Sequence, residues 1–443
     1  MEPVKHTIEY IPRDLLFLRD ARPMEAADAG LGANWPRPDQ FYHSLLSAFR
    51  LRWPDVQEWE KPFLHQGAPR SVDNRFGTLQ TKGPFPKKDG KVFFPRPLDL
   101  GMHLVRAKND DEEGTDLPSF LKYAFRPWKE GKTNPPRWVS GEIYNRYLQD
   151  VKCEELYRPD ELGKDSSLYD VERQFGIGID SRRGTVRDGD FYQAEYLRLG
   201  KDVALVCEAT CETRSGNGKE KLDAFDSDQT QDERIEQAVF GGQQGVCSVK
   251  ISNGGLQFPE PPEEHRETPP TLFVRWTLLT PAVFQAGKEP DAKPGEPPRK
   301  QEGPVFGWLP AWCLRTDADR VYRDDIGKVM LPRSVKRDDG ESRQEWKARQ
   351  KAAGTICAKL VAARIDKPFA FSGWNLPTAT SPGGPKPTML AVPAGSCYVF
   401  ECDSPGDASA LFKALHLVPR SDLLGSNGFG VGVCSFIEAP AID

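Results

Sequence analysis

The sequence has little of what marks a secreted, membrane-spanning or metal-dependent protein. No run approaches the roughly 20 apolar residues that a membrane helix needs, so no membrane association is expected. Its opening, MEPVKHTIEYIPRD, has no apolar segment after a basic start. No signal peptide is expected there, and a cytoplasmic location follows as an expectation. The nine cysteines include no CxxC pair, and Cys207 and Cys211 have no matching second pair. Reduced, buried thiols are expected rather than a zinc site or a disulfide framework.

Catalytic signatures are equally scarce. The six histidines (6, 43, 65, 103, 265 and 416) show no HxxxH or HExxH spacing. No Walker loop, nucleophile elbow or dinucleotide fingerprint occurs, and Gly428-Phe429-Gly430-Val431-Gly432 lacks the GxGxxG spacing and leads into a strand. No catalytic residue, cofactor or metal is therefore expected. One alternative stays open: a lone histidine can act as a general base in RNA cleavage, and His43 is the candidate. Its helical position, opposite Phe41, Leu45 and Phe49, better suits a solvated side chain.

What is present is a long chain of low hydropathy with many turns. Its 443 residues allow two or three domains, and hydrophobic content is 38%. The 39 prolines and 39 glycines imply many loops, while ten tryptophans and 24 phenylalanines supply core material. The net charge of −5 excludes a globally basic surface, so any nucleic-acid site must be a local patch.

Pattern reading gives a strand over residues 7–18 and a helix capped by Asp39, with Phe41, Leu45, Ala48 and Phe49 on one face. A hairpin follows about the Lys88-Asp89-Gly90-Lys91 turn. A helix is expected over 138–148, and strands over 191–199 and 203–207. Residues 212–237 are acidic and aperiodic, which predicts a mobile excursion. Strand character returns at 239–251, and a proline-rich boundary at 259–270 precedes a strand with Leu272, Val274, Trp276 and Leu278 on one face.

Trp346, Ala353, Ile356, Leu360 and Ala363 predict a helix over 342–365. A strand over 396–402, a helix capped by Asp407 and a last strand over 431–437 close the chain. The fold class is α+β, with two ferredoxin-like domains carrying loop and hairpin insertions. The first covers 1–265, with a hairpin (78–98) and the acidic insertion (212–237). The second covers 266–443, with a Pro/charge-rich insertion (285–340) and a glycine-rich loop (425–432).

Several segments suit a phosphate-rich ligand. Arg19 and Arg22 flank Asp20 after an apolar run, either as a phosphate clamp or as a surface turn paired through Asp20. In the hairpin, Lys82, Lys87, Lys88, Lys91 and Arg96 stand against Asp89 alone. It is either a solvated tip or a finger laid along nucleic acid, with Phe85, Phe93 or Phe94 against bases. Arg182, Arg183 and Arg187 share a glycine-punctuated loop, again suited to phosphate or to solvent. Gly241 and Gly242, and Gly428 and Gly430, allow close backbone approach and free N–H donors.

The ordered landmarks carry a family resemblance. LLFLRDARPM (15–24) is similar to an "LFFRDGRPF"-like opening, and TKGPFPKKDGKVFFPRPLDL (81–100) to a "GPF…FPxPxDL" hairpin. ERQFGIGIDSRRGTVRDGDFYQ (172–193) is similar to an "E-x-x-x-GI-x-x-D…T-x-x-G-x-Y" segment. VFGGQQGVCSV, LLTPAVF and the stretch from Ser372 to Glu401 follow in order. Together they resemble the RAMP-superfamily subunit of Cmr-type (type III-B) CRISPR effector complexes that caps the 5′ handle of the guide RNA.

Ala21 and Met24 depart from the family's glycine and aromatic residue, and Gln243 and Gln244 from its charged residues. The resemblance implies a non-catalytic antiviral subunit with two RRM-like (RAMP) domains. It would hold the crRNA 5′ handle and bridge the large polymerase/cyclase-like subunit to the backbone RAMP subunits. It makes Arg19, Arg22, Lys87, Lys88, Lys91, Arg182, Arg183, Arg187, Gly241, Gly242, Gly428 and Gly430 the expected RNA contacts. The alternative within the superfamily is a metal-independent endoribonuclease that processes precursor crRNA. A third is a scaffold that touches no RNA itself.

Overall fold

The computed structural model describes residues 3–18, 29–30, 35–52, 76–107, 118, 120–128, 135–149, 165–179, 183, 185–214, 221–226, 234–242, 245–285, 306–314, 325–335, 337–338, 340–375 and 382–438. The architecture is mixed α/β, with mostly antiparallel sheets and few helices.

The elements used below run in chain order. In the first half they are β1 (His6–Pro12), α1 (Pro38–Arg52), β2 (Gln80–Lys88), β3 (Lys91–Pro95), β4 (Met102–Arg106), β5 (Tyr123–Pro127), β6 (Trp138–Ser140) and α2 (Gly141–Gln149). Next come β7 (Tyr169–Ile179), β8 (Val186–Leu199), β9 (Val203–Thr210), β10 (Glu212–Arg214), β11 (Lys221–Asp223), β12 (Gln237–Val239) and β13 (Val246–Asn253). A short helix, α3 (Glu263–Glu267), leads to β14 (Phe273–Leu278), α4 (Arg343–Ala352), β15 (Ala358–Arg364), β16 (Cys397–Cys402), α5 (Pro405–Leu415) and β17 (Gly432–Ile437).

Two sheets dominate. A seven-stranded sheet has the order β12-β13-β1-β9-β2-β3-β6, and a four-stranded sheet has the order β15-β16-β14-β17. In the four-stranded sheet the first strand to appear, β14, lies between the last, β17, and the third, β16; in the seven-stranded sheet β1 lies between β13, the last to appear, and β9. In β14 all six residues are buried, because both faces of its sheet are covered. Val274, Trp276 and Leu278 pack with α5, whose Ala408, Leu411, Phe412 and Leu415 form one stripe. Phe273 meets Leu104, Tyr123 and Phe125 on the opposite face, from the β4–β5 hairpin of the first half.

The β2–β3 turn meets the expectation closely. Asp89 (φ 50°) and Gly90 (φ 77°) both take left-handed conformations, as a two-residue hairpin turn of the right twist requires. Residues 203–210 form a strand too, but it joins the large sheet. Its predecessor β8 instead pairs with β7 in a long separate hairpin. The glycine-punctuated loop expected around Arg182, Arg183 and Arg187 is thereby shortened, since β7 runs to Ile179 and β8 starts at Val186.

Other expectations are corrected by local chemistry. Helix α1 starts at Pro38, so Asp39 lies inside its first turn and pairs with Arg37. Gln40 reaches back to accept the Arg37 backbone N–H at 2.9 Å. The first strand ends at Pro12, and Leu16 makes an isolated bridge to Leu197. The 138–148 helix is a strand followed by a helix, with Ile143, Tyr147 and Leu148 buried as expected. The predicted 342–365 helix is also two elements. Gly354 (φ 68°) ends α4, and β-branched and small residues continue as β15. Ser404, not Asp407, caps α5: its Oγ accepts the Asp407 N–H at 3.1 Å.

The acidic stretch is not a free excursion over its described part. Ala224, Phe225 and Ile235 are buried in the first-half core, and β10 pairs with β11. His6 Nε2 meets Asp223 Oδ2, tying this insertion to β1. The described cysteines are free thiols, all buried except Cys357.

A buried polar network joins the halves. Arg275 donates to Asp99 Oδ2 at 3.1 Å, to Tyr147 O at 2.8 Å and to Ser435 Oγ at 3.0 Å. Its guanidinium carbon lies 3.7 Å from the Tyr147 ring centre. Tyr147 donates to Asp99 Oδ1 at 2.6 Å, and burial pushes its hydroxyl pKa up, which keeps that proton in place. Asp99 and Arg275 are each 2% exposed, so every charge here depends on its partner.

Candidate nucleic-acid interface

A cleft of about 670 Å³ opens between the two halves. One wall is built from the start of α1, the base of the β2–β3 hairpin and the chain leading into β6. The other comprises Leu279–Pro281, Asp366–Ala370 and Pro393–Ala394. Prolines recur on both walls, and their fixed φ keeps the cleft's shape pre-formed.

Its cations are Arg37, Arg96, Arg137 and Lys367, against Asp366. Arg37 pairs with Asp39 at 3.0 Å and lies 4.9 Å from the Phe371 ring centre, reaching from one half to the other. Arg96 is held by donating to Pro136 O at 3.2 Å and Pro97 O at 3.3 Å. Arg137 is exposed, while its backbone N–H is fixed by the Asp165 carboxylate at 2.8 Å. Burial pushes the Tyr169 hydroxyl pKa up, and the Arg137 guanidinium opposes that.

Trp35 provides the aromatic element. Its indole donates to Pro84 O at 2.8 Å, and its ring packs edge-on against Trp138 at 4.8 Å. Guanidinium forks beside an aromatic plate can grip phosphates and hold an unstacked base.

The residues singled out from sequence are distributed differently. Arg19, Arg22 and Arg182 lie outside the described residues. Leu18, immediately before Arg19, lines the cleft. Arg183 is exposed at the tip of the β7–β8 hairpin, and the backbone of Arg187 belongs to β8.

The hairpin lysines are largely paired. Lys87 meets Glu9, Lys82 meets Glu208 at 2.9 Å, and Lys91 meets Glu142 at 2.9 Å. Lys88 donates to Ser167 O at 3.0 Å. These carboxylates offset the local excess of charge. The hairpin contributes its base (Gly83, Pro84, Pro95, Arg96) to the cleft, while Lys87 lines a separate cavity with Arg13, Arg198 and Lys250. Phe85 and Phe94 do not face bases. They are 0% and 1% exposed in a core shared with Tyr144 and Trp138, and Phe93 packs against it.

The glycines differ from expectation as well, because the amides of Gly428, Gly430 and Gly242 are already engaged. Gly428 N–H donates to Gly425 O at 3.0 Å, and Gly430 N–H to Pro281 O at 2.7 Å. Both are buried, and a Cβ at Gly428 would lie 2.7 Å from Thr81 O. The loop they form docks on β2, where the Thr81 hydroxyl donates to Asn427 O at 3.0 Å. Gly242 N–H donates to Phe17 O at 2.7 Å, and a Cβ at Gly241 would lie 2.9 Å from the same oxygen. These two glycines hold the segment that ends at Leu18 rather than a ligand.

The histidines split in two groups. His43 is exposed on α1, and its pKa is lowered, first by desolvation and then by Lys386 and Arg50, with Asp39 opposing. His416 accepts the Cys434 N–H at 3.1 Å, and burial lowers its pKa to about 4. Among the described residues, no group of three or more His, Cys, Asp or Glu is placed to hold a metal ion. No described helix is long and apolar enough to cross a membrane.

Sequence reasoning missed most of the cleft. In sequence Arg96 reads only as part of a hairpin, and Arg37, Arg137 and Lys367 sit beside prolines with no periodic signal. Pro-Arg-Pro at 36–38 and 95–97 is the one local hint.

No curated protein matches the chain. Among solved structures, it is similar to a chain of the type III-B Cmr-beta complex bound to cognate target RNA and AMPPnP. That match has 13% identity and a TM-score of 0.40, and covers 89% of this chain and 86% of the other. A chain of the Csm3-Csm4 subcomplex of the type III-A CRISPR-Cas interference complex shares 10% identity at a TM-score of 0.33, covering 91% and 94%. A Cas6-related gene product from Pyrococcus furiosus shares 7% at a TM-score of 0.26, covering 98% of each chain. The family model described as CRISPR-associated protein (Cas_Cmr3) matches residues 8–433, nearly the whole chain, and the protein belongs to that family.

Proposed function

We propose that this subunit binds the 5′ handle of the guide RNA in the cleft between its halves and performs no catalysis itself. It caps the RNA-guided antiviral complex and bridges the large polymerase/cyclase-like subunit to the first backbone subunit. The observation that carries this reading is the cleft itself: Arg37, Arg96, Arg137 and Lys367 around Trp35, with Leu18 on its wall. Arg19 follows Leu18 directly in sequence, Arg22 comes three residues later, and the two complete the grip on the handle. Arg182, Arg183 and Arg187 extend it. Lys87, Lys88 and Lys91 act as exchangeable surface cations of smaller weight, because phosphate must displace their present partners.

Each half is a ferredoxin-like RAMP domain, divided near residue 265. Strand order supports this, since numbering the four core strands of either sheet gives 4-1-3-2. In the second half these are β14, β15, β16 and β17, and in the first β1, β2, β9 and β13. Helix α2 then belongs to an insertion between the second and third strands of the first half.

The test is a salt titration of RNA binding by the full chain, comparing wild type with Arg37→Ala/Arg137→Ala. Losing two phosphate contacts should make the log K against log [salt] slope shallower by about 1.4. An unchanged slope contradicts the cleft assignment. RNA recovered from the same titration in EDTA should be intact; specific cleavage that His43→Ala abolishes would assign an endoribonuclease instead.

A further inference from the structure

We propose that one flank of α4, formed by Arg343, Lys347 and Lys351, is a second contact for RNA backbone, outside the cleft and independent of base sequence. The proposal rests on the RNA-binding reading above. The three residues follow at i, i+4 and i+8, so they share a flank in steps of roughly 6 Å along the helix. All three are exposed, and none has an ion-pair partner among the described residues.

The helix buries no residue, so core packing does not explain it. It is nonetheless firmly mounted. Ser342 and Glu345 form a reciprocal capping box, and the Trp346 indole donates to Val335 O at 2.8 Å. Gln350 donates to Arg333 O at 2.8 Å, and Arg349 grips both Glu341 oxygens at 2.9 and 2.8 Å. Arg349 is thus committed to the mount, and the three remaining cations lie on the opposite side of the helix. A rigid row of unpaired cations on an otherwise acidic protein complements a polyphosphate strand. Point-charge lysines without an aromatic neighbour on that flank favour backbone over base recognition.

The test uses the full-length chain and a fluorescein-labelled single-stranded RNA, with Arg343→Gln/Lys347→Gln/Lys351→Gln compared with wild type. The expected slope is shallower by about 2, with affinity at 0.1 M salt lower by roughly a hundredfold. Equal melting temperatures establish that the fold is retained; should melting fall, Lys347→Gln alone is expected to flatten the slope by about 0.7. A wild-type slope in the variant overturns the proposal. If the cleft variant weakens binding while the α4 variant does not, only the α4 contact fails; if wild type binds no RNA, both readings fail. A variant that keeps its slope but loses a protein subunit from the assembled complex assigns this flank to a protein and also overturns the proposal.

Discussion

Asp99→Ala should lower the stability of the protein by about 3–5 kcal/mol, read by denaturant or thermal unfolding. The magnitude follows from what is left behind. Arg275 would keep its positive charge at 2% exposure without the carboxylate that neutralises it, and the Tyr147 hydroxyl would lose its shortest acceptor. Water cannot reach the site to compensate. Replacing both charged partners with apolar residues of similar volume should recover most of the loss, because the pair's own net worth is small. A loss below about 1 kcal/mol for Asp99→Ala would mean that the network is solvated and does not fix the halves.

Because the network spans the halves, Asp99→Ala should also misalign the two cleft walls. RNA affinity would fall without any cleft residue being changed.

Gly430→Ala should cost about 2–5 kcal/mol, combining a left-handed backbone with overpacking. Gly430 has φ +72°, and a Cβ there would lie 2.2 Å from Ser421 N and 2.8 Å from its Cα. Backbone must move, since no flexible side-chain end can yield. Gly254 separates the two costs. It has φ +97° with nothing within 4 Å of a Cβ, so Gly254→Ala should show only the conformational part, about 1–2 kcal/mol. Equal losses at both positions would show that the 428–432 loop can relax, and its role in docking on β2 would fall.

That comparison shows where the sequence was readable. The Asp89-Gly90 turn, the Phe41/Leu45/Phe49 stripe and the Ala408/Leu411/Phe412/Leu415 stripe were legible because local periodicity and turn chemistry decide them. The family was legible from ordered landmarks. The meaning of the glycines was not. Sequence tells that Gly428 and Gly430 can adopt positive φ, but not whether Thr81 and Ser421 or a ligand fills the space beside them. The charged hairpin misled for a similar reason: Glu9, Glu208 and Glu142, the partners of its lysines, are remote in sequence. Gly354 also marks a limit. Helical spacing ran across it, and the pairing of residues 358–364 with β16 overrode that local pattern. The cleft arginines lie in proline-rich connections, where no period exists to be read, and tertiary closure alone brings them together.

The central claim is that this subunit holds the guide's 5′ handle between its halves. Ultraviolet crosslinking of the assembled complex, with sequencing of the attached RNA and mapping of the crosslinked residues, tests it most directly. The account predicts small RNAs sharing one 5′ segment, crosslinked to the Trp35–Arg37 wall and to Asp366–Ala370 opposite. RNAs without a common 5′ end, or crosslinks confined to neighbouring subunits, would contradict it.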